Sequence, residues 1–152
     1  MNTIVIANDI DLNKVPLVAI LSKYDSVTVM NVINIEENLI TDKVTYLSDV
    51  NGQHVLGESV PLSATLIEKM KQNIISDANN INNTITNILE QFDIMANTVI
   101  LTSNKEINVY VDAHNVNRII IAPKKRGWIS RFLYKNITDK IERDMPNKII
   151  KI

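Results

Sequence analysis

Five basic side chains, Lys124, Lys125, Arg126, Arg131 and Lys135, fall within twelve residues of a chain whose formal net charge is only -1. They follow directly on the apolar run Arg118 to Ala122 (RIIIA) and Pro123. Cations gathered at the end of a strand are chemistry for an anion, and flexible lysines would supply point charges where a shaped cradle would supply backbone amides. A solvated basic loop and helix face accounts for the same residues without a ligand. Trp128 beside the cluster could stack on a base or sit in a membrane interface, and with Phe132 and Tyr134 it gives three aromatics among the cations, but Phe132 also falls on an apolar helical stripe. The near-neutral charge argues against a general polyanion binder such as a nucleic-acid protein. Asp9 and Asp11 form a second candidate, a carboxylate pair. No companion base or nucleophile accompanies them, and a helix cap explains Asp11 at less cost.

Other chemistries are closed off. The chain has no cysteine, which removes disulfides, thiolate nucleophiles and thiolate-bound metals together. Its two histidines, His54 and His114, are far apart and neither has a partner at metal-ligand spacing. The opening MNTIVIANDID is unlike a signal peptide, and no run reaches the roughly 18 apolar residues of a membrane span. A cytoplasmic chain with no membrane partner is the expectation. The 25 isoleucines and 20 asparagines are spread over all segments alike, so they read as coding bias.

The elements that must position these residues alternate. Thr3 to Asn8 is a short β-branched run ending at Asp9, as a buried parallel strand does. Asp11 caps a helix over Leu12 to Tyr24, with Pro16 tolerated near its first turn. Ser26 to Ile35 is a second strand. Residues 36 to 60 break the pattern and contain the turn dipeptide Asn51-Gly52, which predicts an excursion or hairpin. After Pro61 and a Thr65-x-x-Glu68 capping box, Ile67, Met70, Ile74, Ala78, Ile81, Ile85, Ile88 and Phe92 recur in steps of three and four, the stripe of one long amphipathic helix packed on a sheet. Thr98 to Thr102 is strand three, Glu106 to Asn115 a short helix, and Arg118 to Ala122 strand four. A helix then carries Ile129, Phe132, Leu133, Ile137, Ile141 and Met145, and Asn147 to Ile152 closes the chain as a strand. With 152 residues, one core suffices for a single domain. Alternation of this kind predicts an open parallel α/β sheet with helices on both faces, Rossmann-like.

The segment Asn117 to Ile141 (NRIIIAPKKRGWISRFLYKNITDKI) resembles the closing segment of the universal stress protein family. There the strand is followed by a G-x2-G-x9-G-[ST] signature whose glycines let backbone amides approach nucleotide phosphates. At those positions this chain has Ala122, Lys125, Lys135 and Asn136. Asp9 matches the aspartate that ends the family's first strand near the adenosine, and Val32 a position whose backbone frames the adenine. The resemblance implies a five-stranded sheet of order 3-2-1-4-5, a cleft at the carboxyl ends of strands one and four, and a homodimer through Asn147 to Ile152. With all three glycines replaced, it implies a non-enzymatic stress-response or regulatory module without the usual glycine loop and with no resident cofactor. The alternative is an adenine-nucleotide protein, for ATP or AMP and with slow hydrolysis, in which Lys124, Lys125 and Lys135 neutralise the phosphates.

Overall fold

The computed structural model of the chain describes residues 1–34, 64–125 and 137–152. Five strands, β1 (Asn2–Ile6), β2 (Ser26–Val32), β3 (Ala96–Leu101), β4 (Arg118–Ile121) and β5 (Ile149–Lys151), form one sheet in the order β3-β2-β1-β4-β5. Every pairing is parallel. The central strand β1 is buried from Thr3 through Ile6, which is why it reads as a continuous apolar run with no alternation.

Side chains alternate across the pleat and feed two cores. On one face Val5, Val27, Val29 and Ile120 pack against helices α1 (Val15–Leu21) and α2 (Ala64–Glu90). On the other, Ile4, Ile6, Met30, Ile119 and Ile121 pack against α3 (Glu106–Ala113) and α4 (Ile137–Asp144). The order and the two-faced packing agree with the sequence-based expectation. The excursion at 36 to 60 and Pro61 lie outside the described residues.

Local chemistry sets the boundaries. Asp11 does cap: its carboxylate accepts from the Asn13 N–H at 3.1 Å, starting a 3-10 turn over Leu12–Lys14 that leads into α1 with Pro16 in its first turn. The helix proper is therefore shorter than the expected span from Leu12 to Tyr24. The stripe expected of α2 is met in part: Ala78 and Ile85 are buried and Ile88 packs against the core as expected, but Ile81 and Phe92 are not buried. Its buried residues are Ala78, Asn82, Ile85 and Leu89, whereas Ile81 is 42% and Phe92 39% exposed. Steps of three and four are both compatible with a helix, and at residues 78 to 92 the register taken by the core follows 78, 82, 85 and 89. Thr65 lies inside the first turn and not ahead of it.

Two helix-to-strand turns use one device. After α2, Asp93 stands at φ 61, and the Ile94 N–H returns to the Leu89 carbonyl at 3.1 Å; after α3, Asn115 stands at φ 48, and the Val116 N–H returns to Val111 at 3.0 Å. The following Ile94 and Val116 are buried, which is the apolar contact that closes such a cap. The chain has only three glycines, and aspartate and asparagine are the side chains that tolerate the left-handed region best.

Candidate functional site

In an open α/β sheet, ligands bind at the carboxyl ends of the strands, where the strand order reverses. Here that place is the ends of β1 and β4, with the end of β2 beside them. After Ile6 the chain leaves the sheet through Ala7, Asn8 and Asp9, and Asp9 turns it in the left-handed region at φ 55. The two loops then interlock. The Asp11 N–H donates to the Ala122 carbonyl at 2.7 Å, the Lys124 N–H donates to the Asp9 carbonyl at 3.0 Å, and Ile10 bridges Pro123 in antiparallel sense.

This interlock decides what the β4 loop can offer. The Lys124 amide and the Ala122 carbonyl are engaged with the β1 loop. Ala122 is buried at 1% exposure as part of the core beneath α1, and it stands outside the left-handed region that a glycine could use. The side chains of Lys124 and Lys125 are exposed at the same lip. Lys135 and Asn136 lie outside the described residues, as do Arg126, Trp128, Arg131, Phe132 and Tyr134.

Val32 sits at the end of β2, buried in the core on the α3 side. Its backbone pair is held by a residue that sequence patterning assigns no role beyond ending the first strand. Asn8 Nδ2 donates to the Val32 carbonyl at 2.7 Å, and the Val32 N–H donates to Asn8 Oδ1 at 2.8 Å. The signal for it was present, since a lone asparagine ending an apolar run invites side-chain to backbone bonding. What could not be read was the partner, 24 residues away on another strand. The structure thus brings Asp9, Ala122 and Lys124 together through the backbone, and Val32 to the same edge through Asn8.

The opposite edge carries the charge. Thr3 Oγ1 donates to Asp25 Oδ2 at 2.6 Å, Arg118 pairs with the same carboxylate oxygen and also donates to the Leu21 carbonyl, and the Met1 amino group lies 3.7 Å from Oδ1. Burial pushes the Asp25 carboxyl up, but the Thr3 hydrogen bond, the Arg118 guanidinium and the amino group outweigh it, leaving the carboxyl below its ordinary value. These groups hold the amino ends of β1, β2 and β4 together, away from the ligand edge.

Among the described residues, no group of three or more histidine, aspartate or glutamate side chains could hold a metal ion, and no helix is long and apolar enough to cross a membrane. His114 is an exposed helix-end residue, its ring stacked on Tyr110 at 3.9 Å.

No family model matches the chain, and no curated protein matches it in sequence. A solved structure does match in fold. Hypothetical protein MJ0577, studied as a structural-genomics test case for assigning biochemical function from structure, superposes with a TM-score of 0.59 at 12% identity. The match covers 99% of this chain and 94% of that one. What the two share is the fold, a five-stranded parallel α/β sheet with helices around it.

Proposed function

We propose that this chain is a universal-stress-protein-like regulatory module, non-enzymatic and dimeric, whose nucleotide site has lost its phosphate cradle. The observation that supports the reading is the engaged backbone at the start of the β4 loop, at Ala122 and Lys124. A phosphate at this edge needs amides free to point at it and a backbone it can approach closely. Here the Lys124 amide donates to Asp9, and Ala122 is a buried alanine where the resemblance places a glycine. Lys125, Lys135 and Asn136 replace the remaining signature residues.

The dimer part rests on β5, an edge strand beside β4. The Ile152 N–H donates inward to the Ile121 carbonyl at 3.0 Å, so by alternation the amides of Ile149 and Lys151 face outward and are open to a second copy. Lysines on an edge oppose such pairing when they project from it. These two are drawn back onto their own chain: Lys148 Nζ donates to the Val116 carbonyl at 2.9 Å, and Lys151 Nζ pairs with Glu142 at 2.6 Å. Antiparallel pairing of two β5 strands about a two-fold axis satisfies the outward groups.

The exposed pair Lys124 and Lys125 favours one rival, an adenine-nucleotide protein that neutralises phosphates with side chains. The experiment that separates the two is ultraviolet absorbance and mass spectrometry of protein purified without added ligand. Ligand-free protein is the expected outcome; a retained adenine nucleotide would establish the rival.

A further inference from the structure

In an extended strand the N–H and C=O of one residue point to the same side. At the end of β2 this alternation is visible: the Ile33 N–H donates to the Leu101 carbonyl of β3, so Val32 directs its pair the other way, toward β1. The last ladder bond there is from the Ala7 N–H to the Met30 carbonyl at 2.8 Å, after which β1 turns away at Asp9. Val32 is left facing the crevice at the ligand edge with a donor and an acceptor side by side. A primary carboxamide fits that pair, and so does the amine-and-ring-nitrogen edge of adenine, each offering one acceptor and one donor in a plane.

Asn8 supplies that carboxamide from within the chain, with both arms short, at 2.7 and 2.8 Å. Val32 is only 4% exposed, whereas Asn8 is partly exposed, so a molecule approaching along the edge meets the asparagine first. We infer that Asn8 is an internal stand-in for a ligand: it occupies a backbone pair on Val32 that takes an adenine-type edge only when the Asn8 side chain is removed or swung out. The inference rests on the reading above, in which the phosphate end of the site is lost, and extends it to the base end.

Energetics support displacement being difficult. A base entering the crevice would exchange two intramolecular hydrogen bonds for two intermolecular ones, a near-even trade. The tethered competitor is present at an effective concentration of about millimolar or more. A base must in addition lose its translational freedom.

The test is amide NMR of the full chain titrated with adenosine, comparing the parent with Asn8→Ala and with Asn8→Asp. The aspartate keeps the shape and the acceptor for the Val32 N–H but opposes the Val32 carbonyl with a second acceptor, which gives a second variant should alanine fail to fold. In the parent the Val32 amide is expected to stay unmoved. In Asn8→Ala it shifts, with adenosine binding about tenfold tighter or more, and N6,N6-dimethyladenosine, which lacks the donor, does not reproduce the shift. Asn8→Asp is expected to fall between the two. Equal responses in parent and variants, or silence in both variants, would overturn the inference, and silence throughout would leave the lost phosphate cradle standing. Tight ATP binding to the parent with the Val32 amide unmoved would do the reverse, overturning the lost cradle while agreeing with an occupied Val32.

Discussion

The two ends of the sheet are held by different means. At the amino end, a buried carboxylate, Asp25, gathers Thr3, Arg118 and the Met1 amino group. At the carboxyl end neutral groups tie the β1 loop to its neighbours: the Asn8 carboxamide on Val32, and backbone bonds joining the β1 loop to the β4 loop, while Lys124 and Lys125 are exposed. A buried charge is costly unless every partner is in place, so it serves where strands must be clamped and nothing has to enter. Neutral hydrogen bonds break at smaller cost and suit an edge where ligands come and go in this architecture. Here both kinds of bond are closed upon the chain itself.

The contrast is broken most forcefully at the ionic end. Arg118→Met strips the cation from buried Asp25 and is expected to cost about 3 to 5 kcal/mol in urea denaturation, against less than about half a kcal/mol for Lys124→Ala at the other end. Equal costs would erase the distinction. The same network sets an acid limit. Because the folded-state Asp25 carboxyl lies below its ordinary value, the stability it contributes is fully present above the unfolded value of about 3.9 and is lost as pH falls through the folded one. Denaturation series from pH 7 down to 2 should show this loss, and Asp25→Asn should flatten it.

Between the two ends, the core sets the scale. Ile85, fully buried, is expected to cost about 2 to 5 kcal/mol as Ile85→Ala, whereas Ile81→Ala, at a position 42% exposed, should cost about 1 kcal/mol or less. Reversed values would restore the helical register expected from spacing alone.

The lateral edge gives a smaller effect on the monomer and a clear one on assembly. Ile149→Pro removes an outward amide and should yield monomers in light scattering with little loss of secondary structure. Ile150→Pro removes an inward amide and should disturb the sheet itself. A parent that scatters as a monomer, or a dimer indifferent to Ile149→Pro, would reject β5 as the interface.

Much of this was legible in the sequence because it rests on repetition. Strand and helix alternation, the β-branched runs, which form strands at Asn2–Ile6 and Arg118–Ile121, and the Asp11 cap each follow from local composition. The α2 register was not legible in detail, because an asparagine at 82 fills a core position that hydrophobicity assigns to Ile81. Asn82 is buried there with its Nδ2 donating to the Val99 carbonyl at 3.3 Å, a partner on a different element. The candidate site was half legible for the same reason. Asp9, Val32, Ala122 and the lysines were marked by position along their strands, but the contacts that engage them, Asn8 with Val32 and Lys124 with Asp9, span 24 and 115 residues and exist only once the sheet has formed.

The lost phosphate cradle is tested most directly by calorimetric titration of the parent chain with ATP and magnesium. Weak binding or none is expected, with affinity gained when glycine is restored at positions 122, 125 and 135 together with Asn136→Ser. A dissociation constant in the low micromolar range for the parent, abolished by Lys125→Ala, would contradict it and assign the phosphates to the lysines.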